Sequence, residues 1–340
     1  MPAERARSPF AAVRQALWVS LAAGVAGAAW LAWFCLTPLA LPRAPFDFTV
    51  RSGASLKTVS AQLSEAGLLS SRDLFWIAGR LRGQQAAIQA GTYRLDAPLT
   101  PLALLDKLAA GDVLPIEIAF IEGTTLRQWL AQLERHPHVQ ATQTARSEAT
   151  LRQALGVIDR PLEGLFFPDT YRFLDGTTDV EILRRAQGAM TRQLAEAWAS
   201  RQPGLPLASS YEALVLASIV EKETGRADER PIIASVFINR LRKGMRLQTD
   251  PTVIYGLGER FDGNLRKRDL LSDSPFNTYL RAGLPPNPIA MPGAASLHAV
   301  MRPAETDYLY FVSRGDGSHV FSRTLQEHNR AVAKYQLSKP

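Results

Sequence analysis

The sequence is nearly devoid of cysteine, with one in 340 residues. That residue, Cys35, lies inside an apolar run, so no intrachain disulfide can form. A small disulfide-stapled scaffold is excluded, but an exported location is not, because a chain this long can bury a core without staples. There is no HExxH and no cysteine cluster, and His136 and His138 form the only close histidine pair. A dedicated metal site is therefore not expected. A P-loop, a GxSxG elbow and a GxGxxG after a strand are also missing. Nucleotide and acyl-serine chemistry lack support, and no cofactor is expected.

What is present is ordinary for a globular protein. Apolar residues make up 46% of the chain and charged residues 21%, which argues against wholesale disorder. The length implies two or three folded units. The formal charge of +7 fits nucleic acid, anionic lipid or an anionic polymer, and equally a plain basic surface.

Residues 15–42 carry no charge, and residues 16–36 are almost entirely Ala, Leu, Val, Gly, Trp and Phe. A bilayer core needs about 20 apolar residues as a helix. Trp18, Trp30 and Trp33 sit toward the ends of the run, where indoles favour the headgroup zone. Arg5, Arg7 and Arg14 precede it, which predicts a cytoplasmic N-terminus and an exported bulk. A cleaved leader would carry a shorter apolar stretch of about 7–15 residues and a small-residue cleavage site. The run is therefore read as a single-pass anchor.

After a Pro-flanked linker, strand-like alternation over residues 46–50 is followed by helical periodicity over 56–67 and 72–81. A strand is expected over 89–95 and a helix over 101–110. A weak internal repeat is visible: residues 52–63 read SGASLKTVSAQL and residues 122–133 read EGTTLRQWLAQL. Both follow a strand-like run, 46–50 and 116–121. Two copies of a strand, tight turn and capped helix are expected, whether by duplication or by convergence on a common βα turn. Small units of this kind resemble LysM-like modules, which bind N-acetylglucosamine polymers. Polar helices are expected over 143–156 and 180–200. The aromatic stretch between them, LEGLFFPDTYRF at 162–173, suits either a sugar platform or a core cluster.

The densest signal is YEALVLASIVEKE at 211–223, a helix apolar around most of its circumference and so buried in a larger domain. At about 100° per residue, Glu221 projects at the edge of the apolar stripe, Lys222 to the polar side, and Glu223 beside Leu216. Burial and the negative end of the helix dipole would both disfavour a charged carboxyl at Glu221, as a general acid requires. A Glu fraying into solvent at a helix end is the rival reading. Residues 231–244 form an amphipathic helix offering Ile232, Val236, Ile238 and Leu241 to the core. Gln248, Thr249 and Asp250 precede Pro251 on extended backbone and suit a cleft wall. The loop GLPPNPIAMPG at 283–293 has carbonyls that regular structure cannot all pair. Residues 308–312 and 319–322 form a hairpin around a Gly-rich turn.

Four segments together resemble one family: LASIVEKET at 216–224, ASVFINRLRKGMRLQTDPTVIYGLG at 234–258, NTYLRAGLPPNPI at 277–289 and YLYFV at 308–312. They are similar to the YceG-like endolytic murein transglycosylases, and FFPDTYRF at 166–173 resembles that family's aromatic motif. The resemblance spans nearly the whole chain after the anchor. It implies a mixed α+β fold: residues 1–14 cytoplasmic, a transmembrane helix over 15–41, a LysM-like α+β module over 46–115 and a catalytic domain over 116–335. It also implies a carbon–oxygen lyase that cleaves the MurNAc–GlcNAc bond of nascent peptidoglycan and leaves 1,6-anhydroMurNAc ends. Its implied partners are glycan strands, the inner membrane and peptidoglycan synthases, with no nucleic acid.

The family's catalytic Glu maps onto Glu221. Gln248, Asp250, Tyr255, Asn277 and Tyr279 are expected to orient sugars. The family's Gly-Leu-Pro-Pro-Gly appears here with Asn287 in the last place, Asn being the next best residue at positive φ. A lytic enzyme needs only one carboxyl, which gives a proton to the leaving oxygen and takes one from the substrate's C6 hydroxyl. Two rivals stand beside this: a hydrolytic muramidase using Asp250 as second carboxylate, and a tethered wall-binding scaffold without activity.

Overall fold

The computed structural model describes residues 9–51, 53–142 and 144–337. Arg5 and Arg7 in the expected cytoplasmic segment, Ser52 in the first repeat copy and Gln143 lie outside the described residues. The described residues fall into two compact units, one running to Ile116 and including Leu174–Gly176, the other Glu117–Phe173 and the residues from Thr177 onward.

The first unit begins with α1 (Pro9–Leu36). Within it, Val13–Leu36 is long and apolar enough to cross a membrane. Trp18, Trp30 and Trp33 are exposed on it, whereas Phe34, Cys35 and the following Leu39 are buried in the core of the unit. Next come β1 (Phe46–Val50), α2 (Leu56–Glu65), α3 (Arg72–Leu81), β2 (Gly91–Leu95) and α4 (Pro101–Ala110). The strands pair antiparallel, Phe46 opposite Leu95 and Phe48 opposite Tyr93. Period-2 alternation puts these side chains on one face, where they pack with Leu56, Val59, Leu63, Phe75, Leu104 and Leu108. Ser55, Ser71 and Thr100 each accept from a backbone N–H of the first helical turn, which is why α2, α3 and α4 start where they do.

The second unit opens with β3 (Ile116–Ala119), α5 (Leu126–Arg135), β4 (Val139–Gln140), α6 (Glu148–Leu155), β5 (Thr170–Phe173) and β6 (Thr177–Thr178). Its helical body is α7 (Asp179–Ala199), α8 (Ser210–Glu223), α9 (Arg230–Arg242), α10 (Asp250–Leu257), α11 (Lys267–Leu270) and α12 (Ala294–Met301). The hairpin β7 (Tyr310–Ser313) and β8 (His319–Ser322) precedes α13 (Leu325–Val332). Strands pair as β3–β5, β4–β6 and β7–β8. The core is helical: α8 contributes Leu214, Leu216, Ala217, Ile219 and Val220, packed with Ile233, Phe237, Leu297 and Val300 of α9 and α12.

Some expectations shift. The expected helix over 143–156 is a 3₁₀ turn (Thr144–Arg146) followed by the shorter α6. The aromatic stretch enters the core: Phe166 and Phe173 are buried, and Trp129 stacks on Phe120 at 3.8 Å between ring centroids. On α9, Val236 and Ile238 are buried as expected, but Ile232 and Leu241 are only half-buried. The buried charged residue there is Arg240, whose guanidinium donates to the carbonyls of Leu309, Arg246 and Leu247. Those carbonyls belong to irregular segments, and a planar fork with several donors satisfies them together.

The internal repeat is structural. Residue n of the first copy matches residue n + 70 of the second. Gly53 and Gly123 both take left-handed backbone, at φ 76° and 74°. Ser55 and Thr125 both cap the following helix. The Nε2 groups of Gln62 and Gln132 each donate to the strand behind them, to the carbonyls of Thr49 and Ala119, both at 2.9 Å.

Candidate active site

Helix α8 carries the candidate acid. Ser209 caps its start, accepting from Glu212 N–H at 3.2 Å. Every residue from Ala213 to Val220 is buried, so the helix axis is fixed within the core. The helix stops at Glu223, with Thr224 extended. Glu221 therefore sits in the last turn of a helix packed on all sides up to Val220, and its side chain is 6% exposed.

Two groups hold the Glu221 carboxylate. The backbone N–H of Gly293 donates to one oxygen at 3.0 Å. The guanidinium of Arg230, at the start of α9, lies 3.6 Å from the other. Ser218, one turn earlier on α8, accepts from the N–H of Ile289 at 3.0 Å. The Pro-rich loop is thus stapled to α8 at two points. Its carbonyls, expected to be spare, are partly used: Met291 O accepts from Gly123 N–H at 2.8 Å, and Met291 N–H donates to Thr124 O at 2.8 Å. Asn287 does not adopt positive φ; among the described non-glycine residues only Gln248 does. Asn287 is buried and donates to the carbonyl of Pro288, so it fits the loop without left-handed backbone.

The turn that grips the loop is the second repeat copy. Thr124 Oγ1 donates to Ile121 O at 2.5 Å and accepts from the Trp129 indole at 2.7 Å. Lys222 Nζ donates to the Gly123 carbonyl at 3.1 Å. Glu163, from the aromatic stretch, accepts from Leu126 N–H at 3.0 Å and from the Tyr255 hydroxyl at 3.3 Å. Burial pushes the Glu163 carboxyl up to about 7.

A second group of contacts surrounds Glu223, two residues beyond Glu221. Thr249 donates a short hydrogen bond from its hydroxyl to the Glu223 carboxylate. Burial raises that carboxyl to about 7, with the Asp250 charge acting in the same direction. The Tyr279 hydroxyl donates to Asp250 at 2.6 Å. Gln248 holds left-handed backbone at φ 51°, its N–H donating to Thr278 O and its Oε1 accepting from Arg240. A non-glycine residue costs about 1 kcal/mol or more in that region and persists only where its surroundings fix it.

The structure thus brings Gln248, Asp250 and Tyr279 together around Glu223. Tyr255 lies elsewhere, with Glu163 and edge-on to Phe276 at 4.8 Å. Asn277 is fully buried, and its amide is committed to backbone: it donates to Leu270 O and Ser272 O and accepts from Tyr279 N–H. Sequence reasoning gave no role to Glu122, Glu163, Ser218, Glu223, Arg230 and Gly293. The repeat held a signal for Glu122, because it departs from Ser52 in an otherwise similar turn; Arg230 and Gly293 carry none without the fold.

A family model described as the YceG-like family matches residues 48–334. An endolytic murein transglycosylase of Bacillus subtilis (strain 168) is 34% identical over 310 residues, covering 86% of this chain and 85% of that protein. An endolytic murein transglycosylase of Streptococcus pneumoniae serotype 2 (strain D39) is 26% identical over 326 residues, covering 85% of this chain and 58% of that protein. The crystal structure of a YceG-like protein from Listeria monocytogenes superposes with a TM-score of 0.55 at 30% identity, covering 84% of this chain and 98% of that one. The match to the family model over most of the chain, with these relatives beside it, means that the chain belongs to the YceG-like family.

Proposed function

We propose that this protein is an endolytic lytic transglycosylase of peptidoglycan, with Glu221 as its catalytic acid and base. The observation that carries the reading is the setting of Glu221: a carboxyl at the end of a buried helix, fixed by Gly293 N–H and Arg230. In the reaction, Glu221 gives its proton to the glycosidic oxygen as the C1–O bond breaks. The C6 hydroxyl oxygen of the same MurNAc closes on C1, and its proton passes to the Glu221 carboxylate. No water is consumed and a 1,6-anhydro end results. One fixed carboxyl therefore suffices, whereas hydrolysis calls for a second carboxylate acting on water or on C1. Asp250, the second carboxylate of the hydrolytic rival, is engaged by Tyr279.

Gln248, Asp250 and Tyr279 are assigned to sugar orientation, with Gln248 and Asp250 exposed to an incoming strand. Tyr255, which donates to Glu163, and Asn277, whose amide bonds its own loop, are kept in the same assignment. The first unit, residues 46–115, is read as a LysM-like glycan-binding module, a reading supported by its strand–helix–helix–strand order with both strands paired. The apolar helix is read as an inner-membrane anchor with a cytoplasmic N-terminus, which places the catalytic domain over 116–335 outside the membrane, near the wall and its synthases.

Mass spectrometry of the digestion products tests this. Anhydro ends are expected from the wild type, and reducing ends would overturn the lytic reading. Glu221→Gln is expected to lower cleavage by about 10²–10⁴-fold with an unchanged melting temperature. A tethered scaffold would instead keep its cellular role in that variant.

A further inference from the structure

Glu122 lies outside the one-carboxyl scheme, yet it faces the same atoms. It sits on the turn between β3 and α5, and its carboxyl occupies the space into which a Cβ on Gly293 would project. Gly293 is the residue whose N–H holds Glu221. Both carboxyls therefore bear on one glycine. Gly123, the next residue, has its Cα side against Glu221: a Cβ there would lie 3.6 Å from Glu221 Cγ. The turn has little freedom, being tied to the Pro-rich loop in both directions through Gly123, Thr124 and Met291, and to Lys222. The charged groups facing Glu122 are Glu221 and Arg230, with Lys222 on the Gly123 carbonyl.

We propose that Glu122 is a positioning residue for the reaction, a second carboxyl that sets the proton balance of Glu221 through space. The inference rests on the lytic reading of Glu221. Burial and the charge of Glu221 raise the Glu122 carboxyl, and Arg230 opposes them. That influence is mutual: a negative Glu122 makes the neighbouring carboxyl hold its proton more firmly. Arg230 and Gly293 N–H each meet one oxygen of Glu221, and Glu122 is the second carboxyl brought to that same glycine. The Arg230 Nε, buried and without a partner, leaves the guanidinium bound to neither carboxyl by a full fork.

The test uses the full-length chain in detergent with un-crosslinked glycan strands, following kcat/KM against pH. Glu122→Gln keeps shape and removes charge. The expected result is that the alkaline limb moves down by roughly one pH unit, with about a tenfold loss at neutral pH. Gly293→Ala is a second route, because Gly293 has ordinary φ (−82°) and its new methyl would overlap the Glu122 side chain, which must then move away. It should move the limb the same way, and the double variant should add little. An alkaline limb that stays in place in Glu122→Gln overturns the proposal, whether or not the overall rate falls. Wild-type product analysis run alongside separates the two failures. Reducing ends there sink the lytic reading itself, whereas anhydro ends with an unmoved limb sink only the role of Glu122.

Discussion

The two strand–turn–helix copies have the same backbone and opposite employment. Each has a glycine at positive φ, a hydroxyl cap and a glutamine tied back to its own strand. In the first copy the helix presents Leu56, Val59 and Leu63 to a small apolar core, where Ser60 is the only buried polar residue among the described residues. In the second, Val59 is matched by Trp129, and Glu122 stands where the first has Ser52. The second turn is bonded to the Pro-rich loop, to Lys222 and to Glu163. A local design that merely ends a strand and starts a helix becomes, with a few side chains changed, a support for the loop that holds Glu221.

The largest way to break this comparison is at the Val59 and Trp129 pair. Both are buried, at 0% and 1% exposure, but Trp129 stacks on Phe120 and anchors Thr124. Trp129→Ala should cost about 4 kcal/mol of stability and reduce activity, because it also releases the turn. Val59→Ala should cost about 1–2 kcal/mol and leave the chemistry of the second unit alone. Chemical denaturation beside cleavage assays checks both. A Trp129→Ala protein with full activity per folded molecule would show that the turn holds itself.

Glu163 ties only the second copy, and its effect depends on pH. Its folded value, about 7, lies above its usual 4.5, so the native state binds the proton more tightly. The protonated group contributes its stability below about pH 4.5, and that contribution is lost as pH rises through about 7. Glu163→Gln, which stays neutral, should abolish that decline, worth up to about 3 kcal/mol. Denaturation midpoints at pH 5 and pH 8 would reveal it: the wild type loses stability between them by more than the variant. Equal slopes would mean that Glu163 stays charged in the folded protein.

Part of this was legible from residues. Hydroxyl caps and period-2 alternation gave the elements of the first unit to within a few residues, because those signals are local. The apolar circumference of 211–223 announced a central helix, and Glu221 stood out on it. The partners of Glu221 were not legible. Arg230 and Gly293 lie 9 and 72 positions away, and only the packing of α9 and the Pro-rich loop against α8 brings them in. The partners of Asn277 were hidden for a related reason: its amide serves three backbone groups of its own loop, which only the fold brings within reach. The LEGLFFPDTYRF stretch was ambiguous because aromatics serve cores and sugars alike, and here Phe166 and Phe173 serve the core.

The finest test compares the two turn glycines. Gly53 and Gly123 share left-handed backbone, so alanine strains both by about 1 kcal/mol. Around Gly53 nothing lies within 4 Å of the new methyl, whereas at Gly123 it touches Glu221 Cγ at 3.6 Å and Lys222 Cδ at 3.7 Å. Those are ordinary contact distances, so the second substitution adds no clash of its own. Equal stability losses are therefore expected from Gly53→Ala and Gly123→Ala. Activity should fall only in the second, since strain relieved by shifting residues 121–124 moves Glu122 and the Met291 contacts that steady Gly293. Matched melting temperatures with cleavage lost in one variant would locate the difference between the copies in what the turn touches. Equal activity in both would mean that the Glu221 carboxyl is held by α8, Arg230 and Gly293 alone.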